Sequence, residues 1–147
     1  MSWRAPTETD LQGSVSADEL AAYRDAAIGD AENADPIAGQ LATVVNLVRG
    51  YLRAGSVEMG PDGTLPETLI RPAMDFLTVD VIKRLPIDLS EDRRRARDAA
   101  LSIFRDVATG KMRVEDFGKP STASSGAGAQ LVSSRPNLTT RRDLDGL

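Results

Sequence analysis

The segment Leu65–Pro86, LPETLIRPAMDFLTVDVIKRLP, constrains the fold more than any other part of the chain. Its apolar residues recur at helical spacing in two adjoining stripes: Leu69, Ala73, Phe76 and Leu77, and Ile70, Met74, Leu77, Val81 and Leu85. Two stripes on one helix predict burial over more than half of its circumference. Pro86 is expected to end this helix. The sequence allows two starting points for this helix. A helix that begins at Pro66 would be kinked at Pro72, whereas a helix that begins near Arg71 would have Pro72 in its first turn.

Capping signals on the N-terminal side of this segment predict two shorter helices. Thr7 fits an N-cap with an acidic residue three positions later, and Gly13 is expected to stop the short helix that follows. The capping box Ser16–Glu19 opens a second helix over about residues 17–28. The second helix carries its apolar residues on one face, which we expect to be its buried side.

Two longer helices flank the central one. The first starts at Asp35-Pro36, keeps its apolar period to about Arg53, and has Gly55 as its expected C′ glycine. The last starts at the N-cap Ser90 and closes at Gly110. The side chains that we expect to be nearly buried are Leu41, Val45, Val48, Leu77, Val81, Ile103 and Phe104.

The link before the central helix, GSVEMGPDGTLP, contains a tight-turn sequence at Gly60–Gly63. Short arms at Ser56–Met59 and Thr64–Leu65 make a short hairpin an option, although two such arms are marginal on their own. The turn chemistry predicts an exposed loop. Within it, Met59 and Asp62 are our candidate residues for contact with a partner.

The composition removes most catalytic and metal chemistry from consideration. The chain has neither cysteine nor histidine, which excludes disulfides, thiolate ligands, a cysteine nucleophile and the usual general base. No phosphate-binding glycine loop or calcium-loop spacing is present. No apolar run approaches the length of a membrane span, and the N-terminus has no apolar signal core, so we expect a protein made in the cytosol. We therefore expect an interaction protein without cofactor or metal, and not an enzyme.

The net charge of −4 is divided unevenly along the chain. Residues 1–118 hold 14 Lys and Arg against 20 Asp and Glu, whereas residues 119–147 hold 4 against 2. An acidic body argues against wrapping nucleic acid through its phosphates. The mildly basic end of the chain fits contact with a protein better than a nucleic-acid arm.

The start of the last helix carries four closely spaced arginines, at positions 93, 94, 95 and 97. They resemble a nucleic-acid patch, but Glu91, Asp92 and Asp98 are interleaved with them. A solvated face or ion pairs between subunits is the better interpretation. On that interpretation Arg94 and Arg97 are candidate partner-binding residues.

From Lys119 the chain changes character. KPSTASSGAGAQLVSS has too few large apolar residues to build a core. The end, RPNLTTRRDLDGL, again carries leucines spaced among charges, which favours a docking peptide over an inert end. The residues expected to contact the partner are Arg135, Pro136, Leu138, Arg141, Arg142, Leu144 and Leu147. We therefore expect an all-α protein: a compact bundle of about four to five helices in residues 1–118, and an extended docking tail in residues 119–147.

The order of these helices resembles the small helical head–tail connector, or head-completion adaptor, proteins of tailed phages and Mu-like prophages. The resemblance spans roughly residues 3–117 and, more loosely, the C-terminal end. The segments that carry it are Trp3, Thr9-Asp10-Leu11, Val48-Arg49-Gly50-Tyr51-Leu52, Leu65-Pro66, Met74-Asp75-Phe76-Leu77 and Ala100–Lys111. The family often has an Arg-Tyr-x-Leu-Pro link, whereas this chain has the longer GSVEMGPDGTLP.

The resemblance implies a structural virion protein at the head–tail junction, made in the host cytoplasm and without contact to a membrane. Identical subunits would form a closed ring, expected to be twelvefold, beneath the portal protein. The ring would extend the DNA channel and dock the tail or a stopper protein. DNA would pass through without sequence-specific binding, which an acidic body favours. The alternative is a small helical DNA-binding regulator, which the arginine cluster favours and the acidic body opposes; a hydrolytic enzyme is disfavoured by the missing histidine and cysteine.

Overall fold

The computed structural model describes residues 1–27 and 35–116. Within these residues the chain forms five α-helices, one short 3-10 helix and a two-stranded antiparallel sheet, so the predicted helical bundle is confirmed. In chain order the elements are β1 (Trp3–Arg4), α1 (Glu8–Leu11), α2 (Ala17–Ala26), α3 (Pro36–Ala54), β2 (Leu65–Pro66), α4 (Glu67–Ile82), α5 (Glu91–Ala108) and the 3-10 helix Val114–Asp116. The predicted tail, residues 119–147, lies outside the described residues, and the division of the chain at residue 118 stays a prediction.

Helix α4 is the centre of the bundle, as its two apolar stripes predicted. It packs against α1, α2, α3 and α5, and most of its side chains are buried: Leu69, Ile70, Pro72, Ala73, Met74, Phe76, Leu77, Thr78, Val79, Val81 and Ile82. The helix begins directly after Pro66 and contains Pro72, which resolves the open question of its start. It ends at Ile82, before Pro86, because two tight turns bring Leu85 back onto the core.

The predicted N-terminal caps of α2, α3 and α5 form as expected, whereas the Thr7 hydroxyl donates to the Asp10 carboxylate and does not cap the backbone of α1. The Ser16 hydroxyl accepts a hydrogen bond from the Glu19 backbone N–H at 3.2 Å, and the Glu19 carboxylate accepts one from the Ser16 N–H at 2.9 Å. Asp35 accepts a hydrogen bond from the Ile37 N–H, and Ser90 caps α5 in the same way. These caps satisfy N–H groups that a helix cannot satisfy by itself.

The C-terminal ends of α3 and α5 have the same geometry, but only one glycine was placed correctly. Gly110 follows α5 in the left-handed conformation, with φ of +73°, as predicted. After α3 the left-handed residue is Ser56, with φ of +55°, and not Gly55. The Ser56 N–H donates to the Arg53 carbonyl and the Val57 N–H to the Leu52 carbonyl, which is the hydrogen-bond pattern of a Schellman motif. The expectation for Gly55 was therefore wrong by one residue.

Gly55 is required for a different reason. A β-carbon at this position would collide with the backbone carbonyl of Val107, near the end of α5. The absence of a side chain thus lets the ends of α3 and α5 meet.

The hairpin considered for the Gly55–Pro66 link does not form. Strand β2 instead pairs with the N-terminal strand β1, with Trp3 opposite Pro66 and Arg4 opposite Leu65. This pairing holds Leu65, which is fully buried. The other proposed arm packs Val57 and Met59 against the core, which gives those side chains burial that a short isolated hairpin cannot provide.

The predicted core is correct for five of its seven members. Val45, Val48, Leu77, Val81 and Phe104 are buried. Leu41 and Ile103 are only partly buried and pack against the margin of the core. Both lie at the edges of the apolar stripes of their helices, where one side of the residue faces solvent.

Candidate functional site

A buried arginine fixes the shape of the loop that precedes β2. Arg49, on α3, is only 4% exposed. Its Nη1 donates hydrogen bonds to the carbonyl oxygens of Pro61 at 2.8 Å and Thr64 at 2.9 Å. Its Nη2 donates to the carbonyl oxygen of Gly60 at 3.2 Å. We call residues 60–64 the clamped loop, because one guanidinium group binds three of its carbonyls.

The charge of Arg49 is compensated mainly by these carbonyl dipoles. The Asp62 carboxylate accepts a further hydrogen bond from Nη2 at 3.1 Å, but the Asp62 side chain is completely exposed. An exposed carboxylate is screened by water, so the ion pair between Asp62 and Arg49 contributes little to stability. A buried guanidinium needs all of its donors satisfied, and the loop backbone provides most of the acceptors. The Arg49 guanidinium therefore depends on the loop carbonyls for its hydrogen bonds, and the conformation of the loop depends on Arg49.

The sequence reasoning missed Arg49, although a signal was present. Val45 and Leu52 lie four residues before and three residues after Arg49, Val48 directly precedes it, and all three are buried. An arginine in the middle of an apolar helical stripe must either reach solvent or find buried acceptors. Here it finds them in the following loop.

The single tryptophan lies against the clamped loop. A β-carbon at Gly60 would overlap the indole ring of Trp3, so the glycine allows the ring to approach the backbone. The Arg49 guanidinium carbon is 6.0 Å from the ring centroid, at the outer limit of a cation–π contact. Strand β1, the clamped loop and α3 are thus joined at one point.

A groove opens beside this junction, and we call it the Trp3 groove. It lies between the Gly55–Gly60 segment, the N-terminal residues and the segment that follows α5, and has a volume of about 700 Å³. Its apolar lining includes Trp3, Val57, Met59, Met112 and Val114, with Glu58, Arg113 and Glu115 at its edge. Its size is in the range of pockets that bind small molecules or peptide side chains.

The structure separates the two candidate residues of the loop. The Pro61–Gly63 tip of the clamped loop is exposed, as predicted, and carries Asp62. Met59 lines the Trp3 groove and is partly buried. Contact of either residue with a partner stays a prediction.

The arginine cluster of α5 is largely used within the chain. Arg93 binds Glu19 of α2, Arg95 pairs with Glu91 at 3.4 Å, and the guanidinium carbon of Arg97 lies 4.7 Å from the centroid of the Phe76 ring. Arg94 is exposed, and no ion pair is found for it within residues 1–27 and 35–116. Of the two α5 candidates, Arg94 alone projects freely from this surface. These contacts also weaken the observation that favoured a DNA-binding regulator.

The carboxylates with shifted pKa values all have arginine partners. Hydrogen bonds from Arg4 hold the pKa of Asp10 well below its usual range, and those from Arg93 lower the pKa of Glu19. Arg24 donates to Glu8 at 2.6 Å and to Asp35 at 3.2 Å. The pKa of Arg24 is raised by these two contacts, chiefly by the hydrogen bond to Glu8. Paired groups of this kind are typical of ion pairs that join structural elements.

The remaining candidate residues belong to the predicted tail. The seven tail residues Arg135, Pro136, Leu138, Arg141, Arg142, Leu144 and Leu147 lie outside the described residues. In the part of the chain that the structure describes, no cluster of acidic side chains could hold a metal ion. No helix among the described elements is long and apolar enough to cross a bilayer.

Comparisons with protein-family models, with curated proteins and with solved structures found no match to this chain.

Proposed function

We propose that this chain is a subunit of a head–tail connector of a tailed phage or Mu-like prophage. Identical subunits form a closed ring beneath the portal protein, extend the DNA channel and dock the tail or a stopper protein. The protein is a structural part of the virion neck and performs no catalysis. DNA passes through the ring without sequence-specific contacts.

The observation that carries the proposal is the clamped loop. A loop with an exposed tip, fixed from below by a buried arginine, loses little conformational freedom when a partner binds it. Docking residues are commonly found on such loops, presented by a rigid scaffold.

The segments on which the resemblance rests also contact one another. Trp3 stands opposite Pro66 in the small sheet. Tyr51 stacks on Phe104 with ring centroids 5.9 Å apart, and Phe76 meets the same ring edge-on at 6.3 Å. The segments that carry the resemblance therefore belong to one connected structure, as the proposal requires.

The charge distribution supports the proposal as well. The first 118 residues are acidic overall, and a channel for DNA must not bind the phosphates that pass through it. Arg94, an exposed arginine of α5, is then assigned to contacts between subunits or with the portal.

Native mass spectrometry of the full chain, alone and mixed with the portal protein of the same genome, tests the proposal. We expect a discrete closed oligomer or a defined complex with the portal ring. A chain that stays monomeric at all concentrations and does not bind the portal would overturn the proposal.

The loop's role is tested with the variant Asp62→Ala. Because Asp62 is fully exposed, this change should leave the fold intact and weaken ring formation or portal binding. Asp88→Ala is the matched control, since Asp88 is an exposed aspartate in the connection between α4 and α5. Equal effects of the two variants would contradict a docking role for the clamped loop.

A further inference from the structure

The Trp3 groove lies where the described chain ends. Val114 and Glu115 line the groove and are the first two residues of the 3-10 helix Val114–Asp116. Another 31 residues, 117–147, follow this point. The last described residues therefore lie beside the groove.

We propose that the Trp3 groove of each subunit binds the leucine-bearing C-terminal segment, residues 136–147, of an adjacent subunit. This inference deepens the proposed ring and rests on it. The occupant is a second copy of this chain, and its contact residues are the leucines at positions 138, 144 and 147.

The chemistry of the groove suits such an occupant. Its lining offers an indole ring and three methionines, Met1, Met59 and Met112, beside valines. Methionine side chains adapt to the shape of an apolar ligand, and leucine is an apolar ligand of suitable size. Burial of two or three leucine side chains offsets part of the conformational entropy that is lost when the segment is ordered.

The charges at the groove edge match the segment in kind. Glu58 and Glu115 lie at the edge with Arg113. The segment carries Arg141 and Arg142, followed by Asp143 and Asp145. The two arginines can face the two glutamates while one aspartate faces Arg113, and such exposed pairs contribute mainly to orientation.

The length of the chain allows a neighbour to be reached. Residues 117–135 precede the segment and span at most about 65 Å when fully extended. A closed ring needs two different complementary patches on every subunit. A groove and a segment that fits it are such a pair, whereas a segment bound to its own groove would close the surface and add nothing to assembly.

Trp3 is the only tryptophan in the chain, so its fluorescence reports directly on the groove. The emission of the full chain is recorded over a range of concentrations, together with the mass of the assembly. We expect a blue shift that develops with concentration and parallels oligomer formation, because the bound segment removes water from the indole ring.

The variant Leu138→Ser/Leu144→Ser/Leu147→Ser should need at least about tenfold more protein to show the shift. The matched control is Leu131→Ser/Val132→Ser, which removes apolar residues from the same part of the chain but outside the proposed segment. A synthetic peptide of residues 133–147, added to the triple variant, should restore the blue shift. The same peptide with its leucines replaced by serine should not.

The remaining outcomes separate the inference from the proposed function. Rings or portal complexes that form while Trp3 emission stays unchanged would overturn the groove assignment and leave the connector proposal standing. A blue shift that is independent of concentration but lost in the triple variant would place the segment in its own groove and overturn binding between subunits. Monomers without portal binding and without a Trp3 shift would overturn both.

Discussion

Arg93 donates hydrogen bonds from both of its terminal nitrogens to the carboxylate of Glu19, each at 2.9 Å. Glu19 is also part of the capping box that begins α2, so one carboxylate joins the start of α2 to the first turn of α5. Both side chains are largely shielded from water, with 26% of Arg93 and 17% of Glu19 exposed. This is a structural bond between distant parts of the chain, at a place where the sequence suggested a solvated or intersubunit face.

Replacement of Glu19 by glutamine should destabilise the bundle by about 1–2 kcal/mol, since hydrogen bonds to a charged group are worth more than neutral ones. Urea unfolding at neutral pH measures this loss. Glu91→Gln is the control, because the Glu91–Arg95 pair is exposed on both sides and its loss should cost less than about 0.5 kcal/mol. Equal losses in the two variants would show that the Arg93–Glu19 contact contributes no more to the free energy of unfolding than an exposed ion pair.

The same ion pairs predict acid sensitivity. Arginine partners lower the pKa of Glu19 and Asp10 in the folded state, so the unfolded chain binds protons more readily than the folded one in acid. The stabilisation is therefore complete above the ordinary carboxyl pKa of about 4 and is lost as pH falls through the lower folded value. The free energy of unfolding should decrease from about pH 5 downward, and less steeply in Glu19→Gln. An unchanged slope would contradict the role assigned to Glu19.

Arg49→Met should cost about 2–4 kcal/mol, because it removes the guanidinium donor from the carbonyls of Gly60 and Thr64. The Pro61 carbonyl also loses its bond to Arg49 but still accepts one from the Thr64 hydroxyl. Arg49→Lys should recover only part of this loss, since an ammonium group cannot reproduce the geometry of the guanidinium. Denaturant unfolding measures both, and Trp3 emission should change because Trp3 adjoins the same loop. If Arg49→Met were as stable as the natural chain, the clamp would not be needed for folding. A short glycine–serine link in place of residues 57–64 would no longer hold backbone carbonyls in position against Arg49, so this replacement should also lower the free energy of unfolding.

Phe104→Ala should cost about 3–5 kcal/mol, the usual range for truncation of a buried aromatic side chain. Phe104 is only 1% exposed and contacts the rings of Tyr51 and Phe76. Ile103→Ala serves as the neighbouring control, because Ile103 is only partly buried and should lose less. A loss below about 1 kcal/mol for Phe104→Ala would contradict its central position in the bundle.

Two glycines of α3 and its C-terminal end should respond in opposite directions to alanine. Gly39 lies inside the helix with open space around it, so Gly39→Ala should stabilise the fold by about 0.5–1 kcal/mol. Gly55→Ala should destabilise it by about 1–3 kcal/mol, since the new β-carbon would displace the end of α5. Thermal melts of the two variants, compared with the natural chain, give both signs. A stabilised Gly55→Ala would show that the two helix ends do not need to meet closely.

Local patterns predicted the helices well because each depends on residues close together in sequence. The stripes of α4 identified the centre of the bundle, and Ser16, Asp35 and Ser90 marked the starts of helices through their own side chains. Such caps and periodicities need no knowledge of the rest of the fold. The end of α3 was predicted one residue too early, because Ser56 and not Gly55 adopts the left-handed conformation.

The candidate site was harder to predict because it depends on contacts between distant residues. The pairing of Trp3 with Pro66 replaced the local hairpin, and nothing in the residues around position 66 identifies the N-terminus as its partner. The acceptors of Arg49 likewise lie 11 to 15 residues away. In the α5 cluster, charge spacing could not distinguish Arg93, which binds another helix, from Arg94, which does not.

The anchoring of the last described residues has a mechanical consequence. Val114 is buried, and its carbonyl accepts a hydrogen bond from the Thr68 hydroxyl of α4 at 3.4 Å. A pull on the chain beyond residue 116 would load this attachment to the central helix before it reached the end of α5. The end of α5 is itself braced against α3 where Gly55 meets Val107. The bundle can therefore resist tension as one body, so that a force on the C-terminal segment is shared by three helices instead of peeling one of them away.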